Sequence, residues 1–264
     1  MSIENDRHLT EIFLEPVRQC YKYRPAFGLS RSEGVSYEHF GEIFGDDPFY
    51  SLIGLASPSV YAAHKAAGGL TSVYRQLGIG AERLFRAILS QQLGLRDDQL
   101  TWSYDYSVTT SKSRTHTLDA CIRQDDLSLE RRETLTRWIE GAVESIGRTR
   151  VNNLRGVVFE VRQGYKSADS KRQNADLRFG LNAYQSDMLP SFAIFSNQVS
   201  YPVISRYRAD GMLVLTGLPE GNSYESTFTF LREVANYDLV GFLDRNKNII
   251  RSEVRGVVTS LLTT

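Results

Sequence analysis

The eight residues Gly156–Gln163 (GVVFEVRQ) constrain this chain most. They are dominated by β-branched and aromatic residues and read as a strand. Alternate side chains of a strand share a face. Val157, Phe159 and Val161 therefore point one way, into a core, and Glu160 and Arg162 point the other way together. Strand and helix patterns alternate around this segment. TWSYDYSVTT (101–110) and Thr115–Arg123 read as strands joined by the polar turn Ser111-Lys112-Ser113. SFAIFS (191–196), entered from Pro190, and MLVLTG (212–217) read as two more. Apolar residues at helical spacing predict helices over 70–93, 129–146 and 247–262, and a polar helix over 169–186 and another helix over 224–236 are also expected. Gly78 and Gly80 predict a break in the first of these, and Ser128 is the expected N-cap of the second. This order predicts an α/β architecture, a mixed central sheet flanked by helices. If GVVFEVRQ and SFAIFS are parallel, their crossover is right-handed. Residues 1–70 carry turn signals between short apolar runs. They are expected to form a helical, loop-rich N-terminal extension to a core spanning 71–264.

Composition narrows the function classes. Lys and Arg number 31, as do Asp and Glu, so a nucleic-acid partner has to be argued from local charge. Apolar residues at 41% and charged residues at 23% describe an ordinary globular chain. No run approaches the ~20 apolar residues that span a bilayer, and MSIENDRHLT has no apolar signal core, so a cytoplasmic protein is expected. Cys20 and Cys121 form neither a disulfide framework nor a zinc pattern. Phosphate-binding GxxxxGK[ST], dinucleotide GxGxxG, HExxH and GxSxG motifs are all missing.

Local charge singles out the segment that follows the central strand. From Arg148 to Arg178 there are eight Lys or Arg against three Asp or Glu. Such a basic segment suits phosphate contacts, and Lys171, Arg172, Gln173 and Asn174 add donors suited to base edges. Arg75 and Gln76 are weaker candidates for DNA contact. Glu160 and Arg162, side by side at a strand end, pair a ligand for a hard divalent cation with a cation for a phosphate. The plainer alternative is a Glu–Arg pair on an exposed sheet face. A second carboxylate is needed for metal-assisted chemistry. Asp119, an acid on a largely apolar strand, is the best candidate, since an unpaired buried charge is costly. Asp105, Asp125 and Asp126 are weaker ones. Glu82, near a helix start beside Arg83 and Arg86, is placed to extend an acidic site.

On these residues the chain resembles the type II restriction endonucleases of the PD-(D/E)XK superfamily. FEVRQGYKSADSKRQNAD (159–176) looks like the signature of a subfamily associated with GGNCC-type sites. KAAGGLTSVYRQLGIGAERLF (65–85) and the stretch from SFAIFSNQ onward resemble the same group. The resemblance implies a restriction-endonuclease-like core, Mg²⁺-dependent cleavage of double-stranded DNA in a prokaryotic cytoplasm, and a homodimer matching a palindromic target. It makes Asp119 the acid of the "PD" element, preceded here by Leu118, and Glu160 the acid of (D/E)XK; both would be metal ligands. Arg162 stands where that pattern has Lys, so either Arg162 supplies the charge or Lys166 takes the lysine role. Arg is always protonated and cannot serve as a base. Glu82 matches an acid on the helix preceding the sheet. The alternative function is a non-catalytic DNA-binding protein on a nuclease-like fold. A basic helix docking an acidic partner is a further rival.

Overall fold

The computed structural model describes residues 3–29, 33–109, 112–148, 153–164 and 170–263. The chain divides into two compact units, one formed by Met1–Gly80 with Arg245–Thr264 and the other by Ala81–Asp244.

The first unit is helical. It contains α1 (Ile3–Arg18), a 3-10 turn over Gln19–Lys22, α2 (Tyr37–Gly45), α3 (Pro48–Leu52) and the first part of α4 (Pro58–Leu93). Ser36 and Asp47 cap α2 and α3 by accepting backbone N–H groups of the first turn. The end of the chain contributes the last turns of a long helix, where Val257 and Leu261 pack with Val17, Cys20 and Val73. The break expected at Gly78 and Gly80 does not exist: α4 runs unbroken for 36 residues. Gly80 serves close packing instead. A Cβ there would collide with the carbonyl oxygen of Phe13, so the bare backbone lets α1 approach α4.

The second unit is mixed α/β, a mixed sheet with helices on both faces. The hairpin β1 (Trp102–Thr109) and β2 (Lys112–Leu118) is antiparallel. β3 (Ala120–Arg123) follows one residue later, then α5 (Leu129–Ser145), β4 (Gly156–Arg162), α6 (Ser170–Gln185), β5 (Met188–Ile194), α7 (Tyr201–Ala209), β6 (Leu213–Leu215), α8 (Thr227–Glu233) and α9 (Leu239–Leu261). Among the described residues the main sheet has the order β3-β4-β5-β6. β3 is antiparallel to β4, whereas β4, β5 and β6 run parallel through the crossovers α6 and α7. Pro190 lies inside β5, ahead of the first position paired with β6, so its missing N–H costs no bond on that side.

Four details depart from the sequence pattern. The strand expected over Thr115–Arg123 is interrupted at Asp119, which lies in a bend between β2 and β3. Ser128 takes the N-cap position of α5 without a side-chain cap bond. Helix α7 is not among the expected elements, and its apolar signal is short: Val203 and Tyr207 are buried, and Ile204 packs partly buried beside them. The final helix begins at Leu239, well ahead of the start expected at Lys247.

Both faces of the sheet carry buried aromatic rings. Phe159 meets Phe85 and Phe230 at 5.2 and 5.1 Å on one side. On the other, Phe192 stacks on Tyr207 at 4.8 Å and meets Phe179 edge-on at 5.9 Å. Glu160 is in register with Phe192, so Glu160 and Arg162 share the face that α6 and α7 cover. No described helix is long and apolar enough to cross a membrane, and Cys20 and Cys121 are buried free thiols.

Candidate functional site

The strand break puts Asp119 next to Glu160. Ala120 pairs with Phe159, so one further step along the two antiparallel strands brings residue 119 opposite residue 160. Asp119 turns its carboxylate into the ladder there, and the backbone N–H of Val161 donates to its Oδ2 at 2.6 Å. Its own backbone is held from α4. Arg86 donates from Nη1 to the carbonyls of Asp119 (3.2 Å) and Leu100 (3.1 Å). The same side chain donates to Asp97 Oδ1, the Asp97 carbonyl and Thr101 Oγ1. The donors of one rigid fork thus pin the bend.

Glu82 lies one turn before Arg86 on α4. Burial and the neighbouring charges of Glu160 and Glu82 push the Asp119 carboxyl up to about 8, against the relief given by the Val161 N–H and Arg162. Burial, and then Glu160, raise Glu82 as well, while Arg83 and Arg86 oppose the rise. The three acids therefore form one electrostatic cluster in which adding a second and third negative charge is costly. Carboxylates are hard donors, and the second oxygens of Asp119 and Glu160 accept no hydrogen bond from the described residues. The donor chemistry fits a divalent cation such as Mg²⁺. The described residues nevertheless contain no group of three or more His, Cys, Asp or Glu already arranged to hold a metal ion.

Arg162 is not on an open surface. Its side chain is 4% exposed, and Asp176 from α6, 7% exposed, takes both terminal nitrogens: Nη1 to Oδ2 at 3.0 Å and Nη2 to Oδ1 at 2.6 Å. Nη2 also reaches Glu160 Oε1 at 3.2 Å. The guanidinium lies over the ring of Phe192, 4.9 Å from its centroid, and Tyr207 donates its hydroxyl to Asp176 Oδ2 at 2.5 Å. The Glu160–Arg162 adjacency follows from strand alternation. Its burial follows from α6 and α7 closing over that face.

The remaining candidates are dispersed. Gln173 is buried, with its amide oxygen accepting from Arg206 at 2.5 Å, so it faces the protein rather than an outside ligand. Asn174 is exposed on α6. Lys166 and the side chains of Lys171 and Arg172 lie outside the described residues. Arg75 is exposed and Gln76 half-buried on α4, in the other unit from the carboxylates. Asp105 is occupied by the Thr115 hydroxyl on the hairpin, and Asp126 by Gln99. Asp176 and Tyr207 are the residues that motif reasoning misses. Asp176 belongs to the basic segment singled out above, and its position three residues after Gln173 on one helix face is the available signal.

Compared with models of protein families, with curated proteins and with solved structures, the chain matches none.

Proposed function

We propose that this chain is a Mg²⁺-dependent, site-specific DNA endonuclease acting on double-stranded DNA. The observation that carries the reading is the pairing of Asp119 with Glu160 across a strand break, with Glu82 close enough to raise Asp119 further. Mutually repelling carboxylates held together at a cost in stability are characteristic of sites that use their charge. Asp119 and Glu160 would hold the cation, with Glu82 beside them. When bound, such an ion lowers the pKa of a water and neutralises charge at phosphoryl oxygens. The protein's own part is positional. Val161 N–H orients Asp119, Arg86 fixes the bend behind it, and Arg162 holds one oxygen of Glu160. Asn174, with Lys171 and Arg172 on the same helix, would meet the DNA. A GGNCC-type target and a homodimer come from the sequence resemblance.

The test is plasmid DNA of known sequence incubated with the purified chain and Mg²⁺. Discrete fragments are expected, and Glu160→Ala should stop cleavage while duplex binding persists in Ca²⁺. Intact DNA with every divalent ion, or full cleavage by Glu160→Ala, would overturn the proposal. One observation favours the non-catalytic reading: Arg162, the cation beside Glu160, is already committed to Asp176. That reading predicts salt-sensitive duplex binding with no strand scission.

A further inference from the structure

The pairing of Arg162 is lopsided. Asp176 receives two hydrogen bonds from it, at 3.0 and 2.6 Å, and Glu160 receives one at 3.2 Å. Both Arg162 and Asp176 are almost wholly buried, while the Glu160 side chain remains 20% exposed. A guanidinium offered one carboxylate makes a forked, two-bond pair with it. Without Asp176, that fork would fall on Glu160, an acid it already touches. Glu160 would then be neutralised and turned away from any external cation. Asp176 is itself steadied by the Tyr207 hydroxyl, and Tyr207 is stacked on Phe192 beneath the guanidinium. The group that contacts Glu160 is thus set from α6 and α7, two helices that follow it along the chain.

We infer that Asp176 is a positioning residue: by taking the fork of Arg162 it leaves Glu160 held by a single bond and oriented to bind a divalent cation. Arg162 in turn is an orienting group for Glu160 rather than a contact to phosphate. The inference rests on the proposed cation role of Glu160, and the same α6 that carries the exposed Asn174 carries the clamp. Partners behind a metal ligand are commonly worth about ten- to a hundredfold in metal affinity.

The experiment titrates the full-length chain with Mn²⁺ alone, by calorimetry, and follows DNA cleavage separately. Asp176→Asn should bind Mn²⁺ about tenfold more weakly than the unaltered chain. It risks unfolding, because it leaves Arg162 buried with a neutral partner. The paired variant Arg162→Met/Asp176→Leu replaces the whole ion pair by apolar groups, a change that folded proteins tolerate. It should fold and show the same weakening, since Glu160 loses its tether. Trp138→Phe, which removes a bond to the Ser223 carbonyl elsewhere in the unit, is the control for stability loss and should bind Mn²⁺ normally. Unchanged Mn²⁺ affinity in either clamp variant, equal weakening in Trp138→Phe, or no Mn²⁺ binding by the unaltered chain would overturn the inference. So would a paired variant that cannot fold, which would make the pair a folding requirement. The two proposals fail separately. Weakened Mn²⁺ binding without any DNA cleavage sinks the nuclease reading alone, and cleavage with Asp176→Asn retaining full Mn²⁺ affinity sinks the positioning role alone.

Discussion

Asp119 Oδ2 accepts the backbone N–H of Val161 at 2.6 Å, so a side chain from a bend takes a bond that a strand carbonyl would otherwise supply. The bond favours the charged carboxylate, yet burial and the charges of Glu160 and Glu82 win and push Asp119 up to about 8 from its ordinary 3.8. A carboxyl raised in the folded state binds its proton more tightly there than in the unfolded chain. The stability it contributes is full below about pH 4 and is lost as pH rises toward 8. Glu82 is raised too and acts in the same direction. Thermal melts without divalent ions should therefore show falling stability from about pH 5 to about pH 8. Asp119→Asn should flatten that fall and be the more stable protein at the alkaline end. Mg²⁺ should restore the unaltered chain there and do little for Asp119→Asn. Equal pH slopes for the two proteins would refute the assignment.

Arg86→Lys keeps the charge and loses the fork. Lys has three donors on a flexible stem and cannot serve Asp97, Leu100, Thr101 and Asp119 together. With hydrogen bonds from charged groups worth about 1.5–3 kcal/mol each, a loss of roughly 2–4 kcal/mol is expected in urea denaturation. Cleavage should fall further than duplex binding, because the bend carrying Asp119 is released.

Two glycines two residues apart on α4 should respond in opposite senses to alanine. At Gly78 an added methyl meets nothing within 4 Å, and replacing a mid-helix glycine is expected to stabilise by about 0.5–1 kcal/mol. At Gly80 it meets the Phe13 carbonyl, and overpacking against backbone should cost about 1–3 kcal/mol. Chemical denaturation of the two variants decides this. A like sign for both would mean that α1 does not rely on the gap at Gly80.

Phe230 is fully buried and touches Phe85, Phe159 and Trp138, with ring centroids 6.2, 5.1 and 4.8 Å away. Phe230→Ala removes the common partner of three rings on the sheet face opposite Glu160. A destabilisation of about 3–5 kcal/mol is expected in chemical denaturation, with the cation affinity of the surviving folded fraction unchanged.

Much of this arrangement is legible in local pattern. Strand alternation at Gly156–Gln163 places Glu160 beside Arg162, and helical spacing finds α5, where Leu135, Trp138, Ile139, Ala142 and Val143 are all buried. Local pattern fails where a tertiary contact decides. Gly78 and Gly80 suggest an end to a helix, but helix packing at Gly80 keeps α4 whole. The bend at Asp119 is invisible in THTLDACIR because it is held by a side-chain bond to Val161, 42 residues away. Arg162 gives no sign in sequence that it is buried. That depends on α7, whose Val203 and Tyr207 make too short an apolar stripe to announce a helix.

The main sheet ends in a four-residue strand on one side and a three-residue strand on the other, β3 and β6. Each offers another chain only a brief row of backbone donors and acceptors, and β3 is cut short by the same bend that delivers Asp119. Borders this small are how proteins discourage illicit strand addition. Strand addition at either edge of the main sheet is therefore limited to a contact of three or four residues.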